Sequence, residues 1–395
     1  MRPDREKEVA HSVWRRVALK NYRSIESAEV QLAPFTVIVG PNGSGKTNFV
    51  DALALASEMA FDAASAVQSR GGFAALRRWG TEDTASIQGS IRTAASRELL
   101  DTTYIEHSFS LVPSQETGWR FLDEVHEERS QGEVVLRHAR TNGRVAEDKP
   151  HLLPDALPPT TSLMLFVRQL VPWSNLEVRR LQLDLPRMRA PQPAADTSKL
   201  VESGQNITSV VRKLRAQDGR GFEFVLAAMR RVIPGLEDIS VEDVGGFLVL
   251  RFSQQLASGV AHFTASNMSE GALRALGIIV AAQTTTSSEL LIVEEPEVAI
   301  HPGAAALLFE VLKRASQQGF VVVTTHSPEL LDAAQDEELL VCSYRNGTTR
   351  IGPLAMAQRE IVREGLFSLS ELARSEPLRI EGEESIPLDP RDFEP

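Results

Sequence analysis

The chain of 395 residues contains a single cysteine, Cys342, so it cannot form an intramolecular disulfide bond. This sparing use of cysteine fits a reducing compartment. No apolar run is long enough to span a bilayer, and the charged first stretch, MRPDREKEVAHSVWRR, lacks the apolar core of a secretory signal. The sequence therefore predicts a cytoplasmic globular protein without a membrane segment.

The net charge of -11 argues against a protein whose whole surface coats nucleic acid. The charge is uneven, with twelve Lys or Arg against six Asp or Glu between Arg168 and Arg231. From Glu371 to the end, eight acids stand against three Arg. Solvated helix faces and an acidic tail would explain each segment alone, but the middle of the chain is where a polyanion would bind.

The chain also lacks internal repeats and sustained heptads, which argues against long coiled-coil arms. A buried strand is predicted at Pro34–Gly40 and an amphipathic helix at Asn48–Phe61. The pattern then predicts short strands, an exposed loop and two helices, at about 86–137, 141–160, 206–214 and 222–232. Strand and helix alternate from Asn267, as in a parallel α/β sheet, and periodicity fades after Leu372.

The stretch GPNGSGKT, Gly40 to Thr47, satisfies the pattern G-x-x-x-x-G-K-[ST] between the predicted strand and helix. Its glycines let consecutive backbone N–H groups turn toward one anion, and the helix N-terminus adds partial positive charge. Lys46 adds a point charge, and the Thr47 hydroxyl can reach Mg²⁺. The motif predicts a site for a nucleoside triphosphate.

A second candidate element is the apolar run LLIVEEPEVAIHP, which stops at Glu294 and Glu295. A helix follows from Pro302 to just before Gly319, and the strand FVVVTTHSP then delivers His326 at its carboxyl end. This strand–helix–strand order places the two glutamates and the histidine at one edge of a parallel sheet, where ligands of open α/β sheets bind.

The stretch NMSEGALRALGIIVAAQ carries Ser269 and Gly271 at the start of a predicted helix, about 220 residues after the phosphate loop. A hydroxyl and a glycine at a helix start form a possible anion site, although a plain helix cap has the same pattern. Its position just before the acidic strand favours the functional interpretation.

Taken in order, these elements resemble the ABC-type ATPase head, in particular its RecF/SMC-like branch. Within that branch the chain is similar to bacterial AAA-family ATPases related to the overcoming-lysogenization-defect proteins. The matching stretches are NYRSIESAEVQLAPFTVIVGPNGSGKTN, RGGF, MSEGALRALG, LLIVEEPEVAIHP and TTHSPELLD. The resemblance covers about Val13–Arg78 and Val241–Leu372, and it implies an α/β P-loop NTPase fold with an antiparallel β lobe and a helical or irregular inserted middle region.

The resemblance also implies roles for individual residues. Lys46 and Thr47 would hold phosphate and Mg²⁺, Glu294 would steady the metal, Glu295 would act on the attacking water, and His326 would be the switch residue near the γ-phosphate. The predicted nucleotide-binding set is Gly40, Pro41, Asn42, Gly43, Ser44, Gly45, Lys46, Thr47, Asn48, Ser269 and Gly271. A Glu at 294 replaces the usual Asp and is one methylene longer, so we expect an active but slow ATPase.

Three further positions are open. Gln88 and Gln169 are the candidates for a glutamine that contacts the metal or the water, and either is otherwise a plain surface residue. Arg70 is similar in position to an arginine that approaches phosphate or DNA in SMC-like heads.

Four segments are predicted. Residues 13–140 would form the first part of the head with the phosphate loop, and 141–240 an inserted basic region that contacts DNA or a partner. Residues 241–372 would complete the head, and 373–395 would be an acidic, disordered tail.

In such heads the signature serine and the phosphate loop lie too far apart to share one ATP, so the resemblance implies a homodimer that closes across two ATP molecules. DNA would bind in the groove of this dimer through the basic residues Arg179, Arg180, Arg187, Arg189, Arg212, Lys213 and Arg215. About 70 residues follow His326, too few for a nuclease domain, so a nuclease or toxin would be encoded separately.

Several functions remain open. The leading one is an ATP-gated dimeric ATPase in repair, genome maintenance or phage defence. The second is a nucleotide-controlled scaffold that regulates a protein effector without contacting DNA. The ATPase subunit of a membrane transporter is a weaker alternative, and a small-molecule kinase is weaker still because it would not need Ser269 before a helix.

Overall fold

The computed structural model describes residues 14–94, 96–147, 153–170 and 177–383. Within these ranges the strands are β1 Trp14–Tyr22, β2 Ile25–Leu32, β3 Phe35–Val39, β4 Ile87–Ala94, β5 Tyr104–Ser114, β6 Gly118–Ser130, β7 Glu133–Thr141, β8 Arg144–Glu147, β9 Glu177–Leu181, β10 Gln192–Pro193, β11 Leu236–Val244, β12 Phe247–Leu256, β13 Gly259–Thr264, β14 Glu289–Glu294, β15 Phe320–Thr325, β16 Leu339–Arg345 and β17 Thr348–Pro353.

The α-helices of the same ranges are α1 Lys46–Gln68, α2 Phe73–Leu76, α3 Met164–Leu170, α4 Leu185–Arg189, α5 Ile207–Gln217, α6 Gly219–Val232, α7 Glu270–Gln283, α8 Pro302–Ala315, α9 Met356–Arg363 and α10 Leu369–Ser375. None of these helices is long and apolar enough to cross a membrane.

One sheet of thirteen strands runs through the molecule in the order β8-β7-β6-β5-β4-β1-β2-β17-β16-β3-β15-β14-β9. The strands at one end, β16, β3, β15, β14 and β9, are parallel to one another. From β8 to β2 every pairing is antiparallel, which forms the expected antiparallel lobe. A smaller antiparallel sheet joins β10, β12, β11 and β13.

The parallel strands are covered on both faces, because their side chains alternate between two apolar cores. In β14, Leu291 and Val293 pack with α5 to α8, whereas Leu290 and Ile292 pack with α1 on the other face. The result is a three-layer arrangement that fixes the carboxyl ends of β3, β14 and β15 along one edge. The catalytic candidates follow these strand ends.

The limits of the four predicted segments remain predictions, but two features of the structure differ from them. Strand β9 lies inside the expected insertion at 141–240, yet it pairs in parallel with β14 and so belongs to the main sheet. The expected disordered tail at 373–395 is ordered in its first part, where α10 ends at Ser375 and Ile380 packs into the core. Residues 384–395, like Val13, lie outside the described residues.

Arg179 and Arg180 are turned toward the fold, which corrects the expectation that they contact DNA in a groove. Three other basic residues of the middle region are exposed, namely Arg187, Arg212 and Arg215. Arg179 is buried against Glu289, with Nε 2.9 Å from Oε1, and Arg180 reaches Glu294. The others pair locally: Arg187 with Asp184, Arg189 with the Met268 carbonyl, Arg212 with the Ala195 carbonyl, Lys213 with Asp196 and Arg215 with Asp238. Burial lowers the pKa of Arg179 by more than the adjacent charge of Glu289 raises it. The net decrease is expected for a charged side chain buried in the protein.

Candidate nucleotide-binding and hydrolysis site

The phosphate loop connects β3 to α1, as the sequence predicts, and α1 begins at Lys46. Gly45 has a φ of 103°, and a Cβ at this position would lie 2.0 Å from the Thr349 hydroxyl oxygen, so only glycine fits. Along the loop the exposed residues are Pro41, Asn42, Gly43 and Thr47, the half-buried ones are Gly40, Gly45 and Asn48, and the buried ones are Ser44 and Lys46.

Residues on strands β16 and β17 form hydrogen bonds with the phosphate loop. The Ser44 carbonyl accepts a hydrogen bond from the Thr349 hydroxyl at 2.9 Å and from the Cys342 thiol at 3.3 Å. Burial raises the pKa of Cys342, so the thiol stays protonated and able to donate. These contacts stabilise the turn that exposes the loop's backbone N–H groups.

Lys46 lies under the loop, with Nζ donating to the Gly40 carbonyl at 2.8 Å and to the Pro41 carbonyl at 3.1 Å. These two hydrogen bonds hold the ammonium group at the start of the loop, where a phosphate would bind. The Asn48 amide donates to the Ser24 hydroxyl at 2.6 Å, which fastens the first turn of α1 to the β1–β2 turn. The cationic side chain and the helix N-terminus together form an anion site.

The Thr47 hydroxyl donates to Oε2 of Glu294 at 2.9 Å. The phosphate loop and the end of β14 therefore meet, and they offer the hard oxygen ligands that Mg²⁺ prefers. Among the described residues there is no group of three or more His, Cys, Asp or Glu that could hold a metal ion. A single hydroxyl and a carboxylate nevertheless fit Mg²⁺, because this ion usually keeps waters and phosphate oxygens as its other ligands.

The second oxygen of Glu294 is also engaged, by a residue that the sequence analysis assigned to DNA. Arg180, on β9, donates from Nε to Oε1 of Glu294 at 2.6 Å and from Nη1 to Oδ1 of Asp51 at 3.1 Å. Its position became visible only through the pairing of β9 with β14, since nothing in the local sequence signals that pairing. Sequence reasoning missed both Arg180 and Asp51.

Glu295 follows β14 in a left-handed conformation, with φ 46°, and its N–H donates to the Thr324 carbonyl at 2.8 Å. His326 follows β15, and its Nδ1 lies 3.5 Å from Oε1 of Glu295. Glu297 supports this corner, because its Oε1 accepts from the Thr325 hydroxyl at 2.6 Å and from the His326 N–H at 3.4 Å. The predicted glutamate and histidine are therefore neighbours at one edge of the sheet.

Ser269 is exposed and caps α7, where its hydroxyl accepts from the Ala272 N–H at 3.2 Å. Gly271 faces the loop that follows Glu295, since a Cβ there would lie 2.5 Å from the Ala299 carbonyl oxygen. The start of α7 and the loop at 295–300 therefore pack together, and Val298 on this loop is exposed. The capping role and a role toward a second chain's nucleotide are compatible.

Of the two candidate glutamines, Gln88 is not at this edge, because it is exposed on β4 and donates to the Ser86 hydroxyl. The side chain of Gln169 lies outside the described residues. Gln182, which no sequence motif indicates, is exposed directly after β9, whose register pairs Leu181 with Val293. This register places Gln182 beside Glu294.

Arg70 differs from its suggested role as a phosphate or DNA contact, because its guanidinium is held inside the chain. It binds Glu58 at 2.6 and 2.9 Å and Asp51 at 3.0 Å. Burial lowers the pKa of Arg70, but the hydrogen bond to Glu58 and the charge of Asp51 raise it above its ordinary value.

Two family models match parts of the chain. A family described as "AAA ATPase domain" matches residues 15–107, and a family described as "AAA domain, putative AbiEii toxin, Type IV TA system" matches residues 187–332. The Smc head bound to the C-winged helix domain of ScpA superposes with a TM-score of 0.52 at 14% identity, covering 87% of this chain and 98% of that chain.

The chain has the fold of an SMC head, and two of its stretches match AAA-family ATPase domains. A second Smc head, from Pyrococcus furiosus with an extended coiled coil and bound to the C-terminal domain of ScpA, gives a TM-score of 0.54 at 15% identity over 90% of this chain and 99% of that chain. An Smc head with a coiled coil and joint from Pyrococcus yayanosii gives 0.52 at 11% identity over 90% of this chain and 100% of that chain. These similarities confirm the predicted fold class and family resemblance.

A short segment of the chain is also similar to the DNA replication and repair protein RecF of Erwinia tasmaniensis. The two are 51% identical over 39 residues, which is 10% of this chain and 11% of the RecF chain. The match covers only this small part of RecF, so it does not show that this chain has the activity of RecF.

Proposed function

We propose that this protein binds ATP with Mg²⁺ in its phosphate loop and hydrolyses it slowly as an ATP-gated homodimer. The observation that carries the proposal is the meeting of two pairs at one sheet edge. Thr47 and Glu294 lie 2.9 Å apart, and His326 and Glu295 lie 3.5 Å apart. One pair suits a metal ion, and the other suits an attacking water.

Each residue would have a simple task. Lys46 and the loop N–H groups bind phosphate oxygens, and Thr47 and Glu294 hold Mg²⁺, which when bound neutralises phosphate charge. Glu295 accepts a hydrogen bond from the attacking water and orients it, while His326 fixes the Glu295 carboxylate from the neighbouring strand. Gln182, exposed beside Glu294, is an additional candidate for contacting the water or the metal shell.

The homodimer follows from the separate location of Ser269. Its hydroxyl and the N-terminus of α7 are exposed, next to the exposed loop that carries Val298. A second chain related by a twofold axis would place its triphosphate against this helix start, where N–H groups favour an anion. Triphosphate would then stabilise the closed pair, and loss of the γ-phosphate would release it.

Light scattering of the wild type and Glu295→Gln, with and without ATP and Mg²⁺, tests the proposal. The variant keeps the shape of the side chain but cannot act as a base, so it should accumulate as an ATP-bound dimer. Lys46→Ala is the matched control that should stay monomeric under the same conditions. If ATP binds tightly while every variant stays monomeric at high concentration, the shared-site mechanism is wrong.

The second candidate is a nucleotide-controlled scaffold for a protein effector, such as a separately encoded nuclease or toxin. The inward pairing of Arg179 and Arg180 supports it, because those charges are not available to DNA. A role on DNA, in repair, genome maintenance or phage defence, is supported by the similarity to RecF and to SMC heads. ATP turnover that DNA stimulates, and that salt suppresses steeply, favours the role on DNA; turnover indifferent to DNA favours the scaffold.

A further inference from the structure

Arg180 bridges the candidate metal ligand and the phosphate-loop helix. Its Nε lies 2.6 Å from Glu294 and its Nη1 lies 3.1 Å from Asp51, which belongs to α1. The exposed fractions of the three side chains are 14% for Arg180, 20% for Glu294 and 6% for Asp51. Ion pairs this sheltered are screened little by salt and hold their geometry well.

Asp51 is itself shared among several donors. Its Oδ2 accepts from the Tyr22 hydroxyl at 2.7 Å and lies 3.0 Å from Nη2 of Arg23, while its Oδ1 accepts from Nε of Arg70 at 3.0 Å. Burial and the adjacent Asp51 both raise the pKa of Tyr22, so the phenol remains a donor. The negative charge of Asp51 is therefore already shared with Arg23 and Arg70, and only part of it offsets the positive charge of Arg180.

Glu294 is one of the three carboxylates that contact the arginines of this cluster, and Glu202 also lies within electrostatic reach of Arg180 and Arg70. Arg23, Arg70 and Arg180 carry three positive charges, and their carboxylate partners are Asp51, Glu58 and Glu294. A metal ion that takes Glu294 leaves Arg180 with a share of Asp51 alone, and it brings two more positive charges close to the guanidinium. Such a rearrangement opposes metal binding by Coulomb repulsion.

We propose that Arg180 is a positioning residue that holds Glu294 while no metal is bound and thereby sets the Mg²⁺ concentration at which the site assembles. This inference rests on the proposed ATP site. It also gives a reason for Glu rather than Asp at 294, since the longer side chain spans both Thr47 on one oxygen and Arg180 on the other.

The test is calorimetric titration of ATP at a series of Mg²⁺ concentrations and in EDTA, which measures binding rather than turnover. Arg180→Gln should lower the Mg²⁺ concentration for half-maximal tightening of ATP binding by roughly tenfold, equivalent to about 1.4 kcal/mol. Affinity for ATP in EDTA should not change, because Arg180 is occupied by carboxylates and not by phosphate. Lys213→Gln, which breaks an exposed pair with Asp196, is the matched control with no expected shift.

A second variant covers the case in which Arg180→Gln does not fold. Arg180→Lys keeps the positive charge and leaves Glu294 intact, but it loses the guanidinium that contacts Glu294 and Asp51 together, so it should also lower the Mg²⁺ midpoint. An unchanged or higher midpoint in the folded variants overturns the inference, as does weaker ATP binding in EDTA by Arg180→Gln. Failure of the wild type to bind ATP at all would instead overturn the proposed function.

Discussion

Nδ1 of His326 lies 3.5 Å from Oε1 of Glu295, although the two residues come from different strands and are separated by a whole helix. The contact forms because β14 and β15 are parallel neighbours whose carboxyl ends meet at one edge. Oε1 of Glu297 accepts hydrogen bonds from the Thr325 hydroxyl and from the backbone N–H of His326. This corner is the part of the site that acts on water in the proposed mechanism.

Replacing His326 by Ala should lower ATP turnover by roughly a hundredfold, the usual scale for losing a group that positions a catalytic base. ATP binding should be nearly unchanged, because the phosphate loop is untouched. The measurement is steady-state phosphate release together with equilibrium ATP binding. His301→Ser is the control, since His301 caps α8 by accepting from the Gly303 N–H and Ser can do the same. Equal turnover in both variants would contradict the role given to His326.

Mixing two inactive variants should restore activity if Ser269 serves the partner's nucleotide. Lys46→Ala loses the phosphate loop, and Ser269→Asp still caps α7 but places a negative charge against the triphosphate. In a mixed dimer one of the two sites keeps both an intact loop and an intact Ser269. An equal mixture should therefore recover a measurable part of wild-type turnover, at most about half, because each mixed dimer has one intact site of its two. No recovery on mixing, measured by phosphate release, would show that each chain works alone.

Replacing Arg15 by Met should stabilise the protein. The Arg15 side chain is buried over the ring of Phe320, with Cζ 3.3 Å from its centroid, and burial lowers the pKa of Arg15. Nε and Nη1 have no hydrogen-bond partner among the described residues. Removing this charge should raise the free energy of unfolding by about 1–3 kcal/mol in urea denaturation. The neighbouring Arg16→Met should change it far less, and a loss of stability in Arg15→Met would show that the contact with Phe320 outweighs desolvation.

The attachment of α10 should weaken in acid. Burial raises the pKa of Asp332, but the hydrogen bonds from Ser370 and Ser368 together lower it by more. The pKa of Asp332 in the folded state is therefore below its ordinary value of 3.8. A carboxylate with a depressed pKa stabilises the fold above its unfolded pKa, and this contribution is lost as pH falls through the folded value. Urea denaturation should show Asp332→Asn less stable than wild type at pH 7, with the difference shrinking near pH 3. Glu364→Gln, an exposed carboxylate, is the control; a gap independent of pH would refute the assignment.

Much of the fold was predictable because local patterns report local structure. The short continuous apolar runs in Phe35–Val39 and Phe320–Thr325 indicate buried strands, and the glycines of GPNGSGKT indicate a turn. The expectation that Glu294, Glu295 and His326 share an edge needed only the strand–helix–strand rule. The helix predicted at Asn48–Phe61 was correct in position, since α1 begins at Lys46 and is kinked at Asp62 before it continues to Gln68.

The errors have a common physical origin. A run of basic residues in the middle of the chain predicted a surface for polyanions, whereas Arg179 and Arg180 are used as internal counter-charges for Glu289 and Glu294. Composition reports how many charges a segment has and not which carboxylates they meet. In the same way, the acidic segment after Leu372 predicted disorder, but Ile380 packs into an apolar core formed mainly by residues distant in the sequence.

The sequence by itself determined the phosphate loop, the buried parallel strands and the acids and histidine at their ends, because each depends on spacing within a few residues. Only the tertiary structure decided that β9 lies beside β14, that Arg180 contacts both Glu294 and Asp51, and that Gln182 rather than Gln88 lies near Glu294. Those contacts join residues more than a hundred positions apart. They form through the packing of the whole sheet, which no local pattern encodes.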